Sequence, residues 1–334
     1  MLLIGTDPAF AEHDTGPGHP ERAARLGAVI EGIARSGLDD AVIHLAAREA
    51  TMEELERVHT AAYLDDLHRR CNQGGGRLDA DTVASTASWR AAVLAAGTGL
   101  AAVEALDSGA ATAAFCALRP PGHHALSDRA MGFCLLNNVA VVAAALAERG
   151  ERVCVVDYDA HHGNGTQDIF FADPRVLYIS MHEWPLYPGT GRLDETGSGA
   201  GVGTTLNFPL PAGATGDVYL AAVDEVAAPE IERFDPTWVL VSAGFDAHRD
   251  DPLTGLGLTA GDFADLTARI AAFAPRPGRL VAFLEGGYGL TGLRDSVAAS
   301  LPALVDGPPV RPEPASSGGP GRAVVDAARD LHRR

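Results

Sequence analysis

At 334 residues the chain is long enough to bury one large core, and 46% apolar with 21% charged residues is an ordinary globular composition, which excludes a disordered chain. Lysine and arginine number 26 against 44 aspartates and glutamates, and the net charge of -18 repels nucleic acid and attracts cations. The four cysteines, Cys71, Cys116, Cys134 and Cys154, form no close pair and sit mostly in or beside apolar stretches, as buried free thiols do.

The chain opens on a short apolar strand, Leu2 to Gly5, without the basic stretch of a secretory signal. Helical periodicity follows over Pro20 to Ser36, Thr51 to Val58, Ala61 to Cys71 and Ser88 to Ser108. The apolar part of that last segment, Ala91 to Leu106, is interrupted by Glu104 and two glycines, so the expectation is a cytoplasmic protein with neither membrane nor nucleic-acid partner. A strand over Thr112 to Ala117 runs into Arg119-Pro-Pro-Gly and the tandem His123-His124, and a helix follows over Asn138 to Arg149.

The strand Val153 to Asp157 ends in Asp159, His161 and Asn164. In extended backbone, residues two apart point to the same side, so Asp159 and His161 face together. The strand Val176 to Ser180 precedes a long glycine-rich connection, Glu183 to Asn207, and a helix over Gly216 to Phe234. The strand Trp238 to Ser242 ends in Asp246, with His248 and Arg249 as a basic pair that can bind a substrate carboxylate or face water. After a helix over Ala260 to Phe273, the strand Leu280 to Leu284 ends in Gly286-Gly287-Tyr288 before a last helix, Leu290 to Leu304. From Asp306 the composition turns to Pro, Gly and Ser, and a short helix closes residues 322–334. The expected division is a single catalytic domain over 1–305 and a tail or strap over 306–334.

Strands alternating with helices predict an α/β fold: a mostly parallel sheet with helices on both faces, whose ligand crevice lies beyond the carboxyl ends of the strands. All four polar clusters fall there. Asp159, His161 and Asp246 supply oxygen and nitrogen ligands and leave a fourth position for water, as a catalytic zinc requires. One of His123 and His124 can take a proton from water while the other stays polarising, with Asp157 and Asn164 as orienting partners: an acid raises an imidazole's basicity, whereas an amide mainly orients it. The phenol of Tyr288 suits donation to an oxyanion.

The segments RPPGHHA, MGFCLLNN, VDYDAHHGNGTQDIF, GFDAHRDDP and LEGGYGL, in this order, resemble the zinc-dependent histone deacetylase and acetylpolyamine amidohydrolase family, most closely its class II and bacterial members, over about Gly5 to Leu304. The resemblance implies the arginase-deacetylase fold with a central sheet of about eight strands. It implies zinc on Asp159, His161 and Asp246, with His123, His124, Asp157, Asn164 and Tyr288 catalytic. It further implies a substrate tunnel walled by Gly132, Phe133, Tyr187, Leu253 and Gly287, and structural potassium at Asp157, Asp159, His161, Ser180 and Met181. Tyr187 stands where the family commonly has Phe. Hydrolysis would free acetate and an amine, zinc and Tyr288 stabilising the oxyanion and His124 taking the proton of water.

An arginase-like two-metal site needs an acid two residues beyond the ligand histidine, where this chain has Gly163, and Tyr288 argues against a module that only binds acetyl-lysine. The implied partner is an acetylated amine: an acetyl-lysine peptide, a polyamine or a small metabolite. Leu253 stands where polyamine-selective relatives carry an acid, which leans away from polyamines, although Asp79, Asp81, Asp250 and Asp251 are other candidates for a carboxylate at the rim. Homo-oligomerisation is open.

Overall fold

The computed structural model describes residues 1–333. Strands that read as unbroken apolar runs must be covered on both faces, and that is where they lie: Val153–Asp157, Trp238–Ala243 and Leu280–Leu284 are buried at every position. The strands are β1 (Leu2–Gly5), β2 (Val42–Leu45), a small antiparallel hairpin of β3 (Gly76–Arg77) and β4 (Val83–Ala84), β5 (Ala113–Cys116), β6 (Val153–Asp157), β7 (Val176–Glu183), β8 (Thr205–Leu210), β9 (Trp238–Ala243) and β10 (Leu280–Leu284). Eight of them form one parallel sheet in the order β2-β1-β5-β10-β9-β6-β7-β8.

The helices are α1 (Ala24–Arg35), α2 (Met52–Leu55), α3 (Ala61–Asn72), α4 (Ser88–Asp107), α5 (Asn138–Glu148), α6 (Asn164–Phe170), α7 (Gly216–Ala222), α8 (Ala228–Phe234), α9 (Ala260–Ala271), α10 (Leu290–Ala303) and α11 (Arg322–His332). Two layers cover the sheet. In one, α4 and α5 pack on each other and on the central strands; in the other, α1, α10, α9 and α7 lie side by side. By length and composition α4 is the described helix that would cross a membrane, but 78% of its apolar window is buried against the sheet and its neighbours. All four cysteines are buried and unpaired.

Two sheet strands escape the sequence patterns. Strand β2 lies at one edge and is only partly buried, so it lacks the continuous apolar run. Strand β8 begins inside the stretch expected to be a long loop, and its Asn207 and Pro209 interrupt the apolar pattern. The helix expected over Gly216 to Phe234 is broken into α7 and α8 by a π-turn at Val223–Ala227.

Residues 306–333 form an ordered strap. Ser316 donates from its hydroxyl and its N–H to the two oxygens of Asp262, at 2.6 and 2.9 Å, near the start of α9. Gly319 donates to Thr215, which precedes α7, at 2.8 Å. Helix α11 then buries Val325 and Ala328 against β8 and α7, and Arg322 and Arg329 both pair with Glu225 in the π-turn.

Candidate metal and catalytic centre

Register places the site. Asp157 pairs level with Ser180 on β7 and with Ser242 on β9, so the segments after these strands leave the sheet at one height. The clusters after β5, β6, β9 and β10 meet there, around the centre of the sheet.

Asp159, His161 and Asp246 offer ligand atoms that all lie within 4.8 Å of one another. His161 Nδ1 faces Asp246 Oδ2 at 2.9 Å and Asp159 Oδ1 at 3.2 Å. The other carboxylate oxygens are pinned by backbone: Asp246 Oδ1 accepts from Ala160 N–H at 2.7 Å, and Asp159 Oδ2 accepts from Gly286 N–H at 2.7 Å. A Cβ at Gly286 would run into both carboxylates, so only glycine lets the β10 loop close over them. Burial, then the neighbouring Asp159, pushes Asp246 up to about 7. Burial would depress His161, but the two carboxylates outweigh it and hold the imidazole well above its ordinary value. Two buried carboxylates against one imidazole leave negative charge that a divalent cation would balance, and the O, N and O donors suit zinc. A Cβ at Gly163 would collide with Asp157 and the Tyr178 hydroxyl, so no carboxylate for a second metal fits there.

The tandem histidines differ in their partners. His123 Nδ1 meets Asp157 Oδ2 at 2.9 Å, and its Nε2 lies 3.8 Å from Asp159 Oδ1. Burial alone would lower His123, but Asp157 and Asp159 outweigh it and push it up to about 10. His124 Nδ1 meets Asn164 Oδ1 at 2.8 Å, while the Asn164 amide donates to Met131 Sδ at 3.3 Å. Since the amide oxygen can only accept, Nδ1 of His124 carries the proton and Nε2 is left as the base. Burial and then the adjacent His123, with ring centroids 4.1 Å apart, hold His124 well below its ordinary value.

The Tyr288 ring lies edge-on to Phe133 at 5.7 Å, and the guanidinium of Arg25 sits 4.9 Å above it. Burial raises the Tyr288 phenol well above its ordinary value, so it stays a donor. Tyr187 stands edge-on to His124 at 5.3 Å. Gly132 and Phe133 both have left-handed backbone, φ 57° and 67°, which turns the Phe133 ring beside His19 and leaves no room for a Cβ at Gly132 against His124. Gly287 adds its carbonyl to the loop, accepting from Arg25 Nε at 2.6 Å. Leu253 is exposed, on the loop between β9 and α9.

At the expected potassium position, Asp157 Oδ2 also accepts from the Tyr178 hydroxyl at 3.1 Å, Met181 is buried on β7, and the Ser180 hydroxyl meets His182 Nδ1 at 2.9 Å. The acidic candidates for the rim separate. The turn holding Asp79 and Asp81 abuts Phe133 and His19: Phe133 N–H donates to Thr82 Oγ1 at 3.1 Å, and His19 Nε2 meets Asp81 O at 3.0 Å. Asp250 lies beside His248 and Glu313. Asp251 is buried and turned inward, accepting the Tyr288 and Gly289 N–H groups on Oδ2 at 2.6 and 3.0 Å. The His248-Arg249 pair is committed elsewhere: His248 is buried, and both side chains meet Glu313 of the strap.

Three supports escaped the sequence reading. Glu285 Oε2 accepts the N–H groups of Gly122 and His123 at 2.6 and 3.1 Å, fixing the backbone that carries the histidines. Arg25 is clamped by Glu21, which also binds Arg119; burial would raise Glu21, but Arg119 and then Arg25 outweigh it and hold it at about 2. Asp251 is the third. Each lies far in sequence from what it supports, and the signal was an arginine or carboxylate within or beside an apolar pattern, as at Arg25 in α1.

A histone deacetylase domain model matches residues 19–304. A probable deacetylase of Archaeoglobus fulgidus is 41% identical over 288 residues, 85% of this chain and 80% of the relative. A histone deacetylase-like amidohydrolase of Pseudomonas aeruginosa is 41% identical over 286 residues, 84% of this chain and 74% of the relative. The crystal structure of the HDA15 HD domain superposes with a TM-score of 0.91 at 35% identity, covering 99% of this chain and 94% of that one.

Proposed function

This chain belongs to the histone deacetylase family, a family of hydrolases, and on that premise we propose that it is a zinc-dependent amidohydrolase removing an acetyl or short acyl group from an amine, most closely an acetyl-lysine-like one. The observation that carries this reading is the convergence of Asp159, His161 and Asp246 beside two histidines with opposite protonation preferences.

A zinc ion held by Asp159, His161 and Asp246 would supply a Lewis acid for the acyl carbonyl and acidify a water. His124, neutral with Nε2 free, takes the water's proton and afterwards returns it to the departing amine. His123, kept cationic by Asp157, adds positive charge beside the developing oxyanion, and Tyr288 donates its hydroxyl to it. Phe133 and Tyr187, with Gly132 and Gly287, wall a tunnel that suits a linear aliphatic stem. Asp157, Asp159, His161, Ser180 and Met181 form the proposed potassium site, residues 1–305 the catalytic domain, and four buried thiols fit a reducing cytoplasm.

A polyamine or small metabolite is the second reading, favoured by Asp79 and Asp81 beside the tunnel wall and opposed by Leu253. The test is turnover of an acetyl-lysine peptide, acetylputrescine and a fluorogenic acetyl-lysine amide by zinc-loaded wild type and Tyr288→Phe. Turnover abolished by the substitution with zinc retained supports the assignment; a wild type that binds zinc and cleaves none of the three sinks it.

A further inference from the structure

We infer that Glu313, in the strap, is a positioning residue for Tyr288, an inference that rests on the hydrolase reading above. Glu313 spans three groups. Its Oε2 accepts from His248 Nε2 at 2.8 Å and from Ala260 N–H, at the start of α9, at 3.1 Å, and its Oε1 accepts from Arg249. The direction of the His248 bond is fixed, because Asp250 N–H donates to Nδ1 at 3.2 Å and leaves the ring proton on Nε2.

His248 and Arg249 belong to the β9–α9 loop, and that loop does two things for the centre. Upstream it carries Asp246, whose carbonyl accepts from Thr254 Oγ1 of the same loop at 2.5 Å. Downstream, Asp251 is bonded back to the His248 carbonyl at 2.8 Å and accepts the N–H groups of Tyr288 and Gly289. The path from Glu313 to the phenol therefore runs through His248 and Asp251.

The contact is built. His248 is 3% exposed, and a Cβ at Gly292 of α10 would press on its ring, so the imidazole is packed where Glu313 finds it. The strap is held on both sides of Glu313, through Arg311 with Asp265 and through Ser316 with Asp262. Asp246 keeps supports independent of Glu313, namely Ala160 N–H and Thr254, whereas the Tyr288 N–H depends on Asp251. Loss of Glu313 should accordingly spare metal binding and slacken the tyrosine.

The experiment compares wild type, Glu313→Ala and Glu313→Gln by zinc content, by kcat and KM on a fluorogenic acetyl-lysine amide, and by hydrogen–deuterium exchange of a peptide spanning residues 286–290. Expected for Glu313→Ala is unchanged zinc, kcat lowered about tenfold with KM within about twofold, and faster exchange in that peptide. Glu313→Gln keeps an acceptor for His248 and Ala260 and should fall between the two. Wild-type exchange and wild-type kcat in Glu313→Ala would overturn the inference, as would a fall in zinc content accompanying the whole loss of rate. If Glu313→Ala does not fold, His248→Phe takes its place, since it cuts the same path at the next link while filling the packed ring site, and unaltered exchange of residues 286–290 in that variant overturns the inference. A wild type inactive on the amide would count against the hydrolase reading, and the exchange comparison would still decide whether Glu313 holds the Tyr288 loop.

Discussion

Asp157 Oδ2 lies 2.9 Å from His123 Nδ1, so the carboxylate of the centre's second sphere goes to one histidine while its neighbour His124 receives only the amide of Asn164. Under the proposed mechanism His124 must be neutral to accept a proton, and activity is lost as pH falls through its pKa. Asn164→Asp puts a carboxylate on Nδ1 and raises that pKa. The acid limb of the kcat/KM profile should move to higher pH by about one unit, with less activity at a fixed mildly acidic pH. An acid limb that stays in place would show that His124 is not the base.

Gly286→Ala tests the proposed metal ligands apart from any substrate. Its Cβ, two residues beyond the end of strand β10, collides with Asp159 and Asp246. Zinc affinity should drop by at least about tenfold at unchanged secondary structure, measured by competition with a chelating dye and by circular dichroism.

Glu285 should matter as an acceptor and not as a charge. Burial pushes its carboxyl up to about 7, against the nearby His123, and Oε2 takes two buried N–H groups. Glu285→Ala strands both donors and should destabilise by about 2 to 5 kcal/mol in urea unfolding, whereas Glu285→Gln, which keeps an acceptor, should lose less than about half of that. Equal losses would refute the acceptor role.

Stability should fall in mild acid, and His59 supplies part of the reason. Its Nδ1 meets Leu126 O at 2.9 Å while Nε2 accepts from Asn137 N–H at 2.9 Å, an arrangement only the neutral ring can make. Burial lowers it from 6.5 to about 4, although the backbone carbonyl of Leu126 pulls the other way. Between those values the unfolded chain binds the proton and the native chain does not. The contribution is therefore whole above pH 6.5 and is lost as pH falls towards about 4, on the order of 3 kcal/mol for this ring. Urea unfolding at pH 7 and pH 4.5 should show a smaller difference in His59→Gln than in wild type; the same difference in both would remove His59 from the account.

Much of the centre was legible because its residues cluster at strand ends. Asp159 and His161 are two apart beyond β6, and the buried runs of β6, β9 and β10 were unmistakable, so the candidate ligands and the sheet could be placed together. The supports were not legible, because they act across the chain. Glu285 reaches His123 over 162 positions, and Arg25 reaches Gly287 over 262, and no local pattern encodes such a pairing. The partner of His248 and Arg249 was hidden for the same reason: Glu313 sits in a segment whose Pro, Gly and Ser content suggested a tail or strap and no particular contact. Edge strands β2 and β8, with one side unpaired and partly polar sequences, gave too weak a periodicity to find.

The position of β10 also dictates the order in which the protein can be made. It is the last strand in the chain, yet it lies between β5 and β9 and is the only strand of the sheet that joins the group β2-β1-β5 to the group β9-β6-β7-β8. His123 belongs to the first group, and Asp159, His161 and Asp246 to the second. On the ribosome, both groups emerge with an open inner edge, and neither can be sealed until residue 284 has cleared the exit tunnel. Until then the inner edges of β5 and β9 have no partner. A chain interrupted before β10 would not be a weakened hydrolase but two half-sheets with no centre between them.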